Sequence, residues 1–252
     1  AYVALTLDAF GEDDPAVAVD MMVQYAGMVS QWAKGVPICV DSSNDDVLEA
    51  GLKAWYDTAL PVERPLLNSV KFHTIDRIGS LKKDLDFSIV GLLVGEDAGG
   101  PGGGHTVECM CSLARRIFES AVDRFAFKPE QIFFDTTVFP LAIDMPMEPG
   151  VPGYTYRTFQ TIKAIKNNPR FNGVHFTMGL SNCARDLPGR KVGVARAYAR
   201  KAMEYGLDSV ISDPSHRFGE KQADPELLQW VETYARMDGS PEAVADAMTV
   251  MG

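Results

Sequence analysis

The chain is poor in cations, cysteine and histidine: 24 Lys and Arg stand against 34 Asp and Glu, a formal net charge of −10 over 252 residues. A deficit of that size disfavours a nucleic-acid partner, which needs a positive patch to displace phosphate counterions. The four cysteines, Cys39, Cys109, Cys111 and Cys183, have neither zinc-site spacing nor the density of a secreted disulfide scaffold. They fit a reducing compartment, and the expectation is a cytoplasmic protein. His73, His105, His175 and His216 show no triad or metal spacing, and His175, within an apolar run, reads as structural. No apolar run is long enough to suggest a membrane-spanning helix, and with no basic or apolar signal region visible in it, the sequence carries no expectation of a targeting peptide.

What is present suffices for a sizeable core: 46% of residues are hydrophobic and 23% charged, close to the globular average. Short β-branched or aliphatic runs recur at Val3–Leu7, Val36–Val40, Leu66–Val70, Ser88–Val94, Ile132–Phe134, Val174–Met178 and Ser209–Ile211. Between them lie amphipathic stretches at Pro15–Trp32, Asp45–Trp55, Thr106–Phe125, Thr155–Asn167, Val192–Tyr205 and Pro225–Tyr234. Alternation of this kind implies a parallel sheet with right-handed crossovers. The expected architecture is a (β/α)8 TIM barrel over residues 1–252, a single domain that lacks its first strand. An open doubly wound sheet is the competing arrangement. It calls for a glycine fingerprint after the first strand, and Leu7-Asp8-Ala9-Phe10-Gly11 is not one.

In a parallel barrel the chemistry sits at the C-terminal ends of the strands, so the residue closing each apolar run is informative. Here those residues are Asp8, Asp41, Asn68, Asp135, Asn182 and Asp213. Side chains of this kind also cap helices, and for any one of them capping is an equal explanation. Taken together, carboxylates and amides with little cationic charge suit a neutral heterocycle rich in N–H donors. A carboxylate accepts paired N–H bonds from an amidine-like edge, and an amide offers a donor and an acceptor.

Four segments together carry a family resemblance. They are Val40-Asp41-Ser42-Ser43 with Leu48-Glu49-Ala50-Gly51-Leu52-Lys53; Leu67-Asn68-Ser69-Val70; Phe133-Phe134-Asp135-Thr136-Thr137-Val138-Phe139-Pro140; and Gly179-Leu180-Ser181-Asn182, with Pro188 and Arg190 beyond. From about residue 3 to about residue 235 the chain resembles the pterin-binding methyltransferases, specifically the methyltetrahydrofolate:corrinoid protein methyltransferases, which share the dihydropteroate synthase-like barrel. The resemblance implies that Asp41, Asn68 and Asp135 grip the pterin and that Asn182 hydrogen-bonds near N5, with Gly179, Ser181 and Arg190 also in the substrate site. It implies tetrahydrofolate or methyltetrahydrofolate as substrate, a cobalamin carried by a separate corrinoid protein, no metal on this chain and a homodimer. The family's first strand has no counterpart, and Leu5-Thr6-Leu7-Asp8 matches its second strand only loosely.

Other features fit less specific roles. The glycine-rich segment 96–105 lacks a P-loop ending and reads as a loop lining the barrel mouth. Asp213-Pro214-Ser215-His216 carries one residue too many for a cobalamin-binding Asp-x-His signature, so the corrinoid is expected on another protein. Cys183, next to Asn182, is the cysteine expected near the site, and Met145 and Met147 fit either packing or a partner surface. Three other functions compete: a dihydropteroate synthase-type pterin transferase, a non-catalytic pterin-binding subunit, and a Mg²⁺-dependent lyase using Asp41, Asp135 and Asp213.

Overall fold

A computed structural model describes residues 1–33, 35–58, 63–94, 105–144 and 150–251. Residues 96–104 of the glycine-rich segment, Met145 and Met147 lie outside the described residues. The strands are β1 (Val3–Thr6), β2 (Ile38–Asp41), β3 (Leu66–Val70), β4 (Ser88–Leu92), β5 (Ile132–Asp135) and β6 (His175–Phe176). The helices are α1 (Pro15–Trp32), α2 (Asp45–Thr58), α3 (Ile75–Ser80), α4 (Val107–Glu119), α5 (Tyr154–Lys166), α6 (Lys191–Tyr205), α7 (Pro225–Ala235) and α8 (Pro241–Met251). A π-helical turn over Ser120–Arg124 follows α4. Strand order follows the chain, β1-β2-β3-β4-β5-β6, and β1 to β4 pair parallel.

This corrects the expected strand count. Among the described residues there are six strands in one sheet, an arrangement compatible with a TIM-barrel-like fold, and no pairing that closes it into a barrel. The seventh run, Ser209–Ile211, keeps parallel hydrogen bonding, Ser209 N to Phe176 O at 3.0 Å and Ile211 N to Met178 O at 2.9 Å. It forms only one isolated bridge, Gly179 with Ile211. Part of the reason is local: the Asp208 carboxylate takes the Phe176 N–H at 2.9 Å, a donor that backbone pairing would otherwise use. The same carboxylate lies 3.0 Å from His175 Nδ1, so this histidine is held by a neighbour, in keeping with its structural reading.

The chain forms two compact units, Ala1–Leu92 with Arg115–Phe134, and Leu93–Ala114 with Asp135–Gly252. In the first, α1 starts where Asp14 caps the Ala16 N–H at 3.0 Å and Pro15 supplies a preset φ. Its buried face is made of small or flexible residues, Ala18, Met22 and Ala26, which lets α2 pack closely beside it. The core contains Ile38, Val40, Leu48, Leu52, Leu67 and Ile89, all fully buried, each contributing about 1.5–3 kcal/mol of apolar transfer. Gly51 permits the close approach of α2 to β2, because a Cβ there would lie 2.8 Å from both Met22 Cγ and Val40 Cγ1. Gly51→Val is therefore expected to lower stability by about 1–3 kcal/mol through overpacking. The check is a fall in the urea midpoint with the slope unchanged.

In the second unit, α5 and α6 share a core around Phe159, Ile162, Val194 and Tyr198, with the Phe159 and Tyr198 rings 5.1 Å apart edge to face. The N-terminus of α5 follows Gly153, which has no side chain to cap it. Asp144 supplies the cap from ten residues upstream, Oδ1 accepting the Tyr154 N–H at 2.5 Å and Oδ2 the Thr155 N–H at 2.8 Å. Helices α3 and α8 were not expected from the sequence. The first has too few residues to show a period, and the second is announced only by Ser240, whose hydroxyl accepts the Ala243 N–H at 3.2 Å, and by Pro241.

Candidate functional site

In the first unit the ends of three strands form a polar row. The parallel register aligns Thr6 of β1 with Asp41 of β2, and Asp41 with Asn68 of β3. Because side chains alternate along each strand and align across them, the three share one side of the sheet. The Thr6 and Asn68 side chains are the polar neighbours that favour the ionised Asp41 carboxylate. Burial raises the Asp41 pKa above the ordinary carboxylate range, and the nearby Asp8 charge adds to this; the polar side chains of Thr6 and Asn68 offset only part of it. Asn68 is buried, its carbonyl accepts the Ser42 N–H at 2.7 Å, and the Asn68–Ser69 peptide is cis.

Asp8 is held differently. Burial pushes its pKa upward, but Ser42 and Ser43 outweigh that and hold it below the ordinary value. Ser42 Oγ donates to Oδ1 at 2.5 Å, and Ser43 donates through N and Oγ to Oδ2 at 2.8 and 2.7 Å. Adjacent carboxylates thus have opposite biases. Asp8 is satisfied by the chain itself and fixes the turn after β2, whereas Asp41 is short of donors. Thr6 is the residue that sequence reasoning missed. Its signal is a hydroxyl inside the apolar run Val3-Ala4-Leu5-Thr6-Leu7.

In the second unit Asp135 closes β5, and its Oδ1 accepts the Thr137 N–H at 2.7 Å, while Thr137 takes a left-handed conformation with φ 61°. That bond makes a side-chain-closed turn, leading the chain away from the strand without starting a helix. Downstream, Phe139 stacks on Tyr154 with centroids 4.1 Å apart, His105 lies edge-on to Phe139 at 4.8 Å, and the Arg157 guanidinium lies 4.4 Å from the Tyr154 ring centroid. Burial and then the Arg157 charge lower the His105 pKa, so the imidazole is biased to its neutral form. No sequence pattern announced this cluster, since its members come from three separate segments.

Gly179, bridged to Ile211, leads into a 3-10 turn over Leu180–Ala184 that presents Ser181 and Asn182 to solvent. The Asn182 N–H bonds Gly179 O at 3.3 Å, and a Cβ on Gly179 would lie 3.6 Å from Asn182 Nδ2. The carboxamide therefore rests beside the glycine and is left with polar atoms to offer a ligand. Cys183 points the other way. It is fully buried, its Sγ lies 3.0 Å from Leu180 O, and burial pushes the thiol pKa up to about 12, so it is packing rather than chemistry.

Two other sequence candidates have partners within the second unit. Arg190, left-handed at φ 54°, pairs with Asp224 at 2.8 Å and Glu226 at 3.3 Å beside a groove that Pro188 and Trp230 also line. Asp213 caps the following 3-10 turn by accepting the Ser215 N–H at 2.8 Å. Among the described residues no cluster of three or more His, Cys, Asp or Glu is disposed to hold a metal ion, and no helix is long and apolar enough to cross a membrane.

No family model matches the chain. It is similar to a methylcorrinoid:tetrahydrofolate methyltransferase of Eubacterium limosum, 27% identical over 221 residues that cover 85% of this chain and 72% of that protein.

Proposed function

We propose that the protein is a pterin-binding methyltransferase that moves a methyl group between N5 of methyltetrahydrofolate and the cobalt of a corrinoid held by a separate protein. The similarity to the Eubacterium limosum enzyme supports methyl transfer at the level of the family. The observation that carries the reading to this chain's own residues is the row of Thr6, Asp41 and Asn68. At its centre is a half-buried carboxylate that its neighbours only partly stabilise, the acceptor a pterin's N–H edge requires.

In this reading Asp41 and Asn68 bind the pterin, Asp135 contributes a further acceptor, and Gly179, Ser181 and Arg190 shape the substrate site. Asn182 acts at N5. When the methyl leaves, the C–N bonding pair returns to N5, and Co(I) supplies the electron pair of the new Co–C bond. A leaving amine nitrogen that gains electron density is stabilised by a hydrogen bond or a proton. An amide donor that engages N5 more strongly in the transition state than in the ground state lowers the barrier selectively. In the reverse direction the same contact positions N5 as nucleophile.

The test is anaerobic mixing of the protein with methyltetrahydrofolate and cob(I)alamin, following the visible spectrum. The expected result is conversion of the Co(I) band to the methyl-Co(III) band faster than in a protein-free control. No folate binding at all would sink the assignment. Binding without conversion, even with a native corrinoid protein supplied, would favour a non-catalytic pterin-binding subunit.

A further inference from the structure

We infer that the outer face of α1 is an interface between two copies of this chain, with the helix lying antiparallel to its symmetry mate. Helix α1 carries two apolar stripes. Ala18, Met22 and Ala26 form the buried one, which faces α2. Val17, Met21, Tyr25, Met28 and Trp32 form the other. At about 100° per residue these five fall within one arc of about 80°, turned roughly 100° from the buried stripe. Val17, Tyr25, Met28 and Trp32 are exposed, Trp32 to 81%, and Met21 is half-buried.

The topology explains why this stripe is bare. In a sheet of parallel strand–helix units each helix is flanked by the helices of the adjacent units. Helix α1 follows β1, the edge strand, which among the described residues pairs with β2 alone, so α2 fills one flank of α1 and the sheet supplies no helix for the other. From Val17 to Trp32 the bare stripe runs about 22 Å along the helix. A continuous apolar surface of that length on the outside of a chain marks an interaction site.

Spacing and charge select the occupant. Met21, Tyr25, Met28 and Trp32 follow one another at intervals of four, three and four residues, the seam of two packed helices. Where such a seam selects a different chain, charged residues flank it and set the choice. Here its flanks are Val17, Gln24 and Gln31 on one side and Met22 and Val29 on the other, and Asp20 is the one charged residue of α1. Two copies of net charge −10 repel over most of their surface, whereas at this face they meet without like charges. A two-fold axis across the antiparallel pair sets Tyr25, near the middle of the stripe, against its own counterpart.

The test is sedimentation velocity over a concentration series, read together with tryptophan emission. Trp55 is buried and Trp230 half-buried, so the solvent-exposed component of the emission comes from Trp32. The unaltered protein is expected to show a monomer–dimer equilibrium in the micromolar range, its emission moving to shorter wavelength as the dimer fills. Tyr25→Glu and Tyr25→Lys each set like charges face to face and should each weaken the dimer at least about tenfold. An equimolar mixture of the two variants should recover it, which neither could do unfolded. A monomer at every concentration overturns the inference, as does a dimer that survives in both variants or variants that fail to recover on mixing. A monomer in which Trp32 already emits as a buried indole overturns it in favour of coverage by another segment of the same chain.

Discussion

Replacing Asn182 with alanine is expected to lower turnover on the order of 100-fold while changing folate affinity severalfold at most. The magnitude is that of removing one preorganised donor from developing transition-state charge. The asymmetry follows from where the interaction is made. A bond that strengthens only as the methyl departs is lost from kcat and from kcat/KM together, whereas one made equally in the ground state would raise KM alone. The fold bears little of the change, because Asn182 is exposed and its recorded hydrogen bonds run through its backbone, to Gly179 O and from Arg185 N. Single-turnover mixing with methyltetrahydrofolate and cob(I)alamin separates the two quantities. A loss of affinity at unchanged single-turnover rate would make Asn182 a binding residue.

The second large effect is at Asp41, and its sign depends on pH. In the empty protein burial raises the Asp41 pKa. A pterin edge that donates N–H bonds to the ionised carboxylate lowers it again on binding. Affinity is therefore complete above the raised pKa of the empty protein and falls as pH drops through it, a window that opens above the ordinary carboxylate range. Asp41→Asn removes the charge and should flatten that dependence. It should weaken folate binding at neutral pH by about 1–3 kcal/mol, the cost of a poorly matched donor edge in a desolvated site.

The same substitution should have the opposite effect on the empty fold. A carboxylate whose pKa is raised on folding opposes folding once pH exceeds its unfolded value, and the penalty disappears as pH falls through the folded value. Asp41→Asn is thus expected to melt no lower than the unaltered protein at pH 7, the two converging in acid. Calorimetric titration across pH, paired with thermal melts, tests both halves. Affinity lost with a lower melting point and no change in the pH profile would mean a damaged fold rather than a missing acceptor.

The division between what was legible in the sequence and what was not follows the range of the interactions concerned. The alternation of apolar runs and amphipathic stretches, the helix start at Pro15 and the strand-end positions of Asp41, Asn68 and Asp135 are local, set by side-chain period and by capping within a few residues. The polar residues at strand ends could therefore be named in advance. The number of strands could not, because a run as short as Ser209–Ile211 becomes a strand or a lone bridge according to what Asp208 bonds across the chain. Nor could the different states of Asp8 and Asp41, both carboxylates at strand ends. One meets the hydroxyls of Ser42 and Ser43 thirty-four and thirty-five residues away, while the other is half-buried between β1 and β3. Sequence determined which groups were present and the local elements that carry them. Tertiary structure alone decided which donors reached which carboxylate, because desolvation and hydrogen bonding depend on neighbours that only the parallel register brings together.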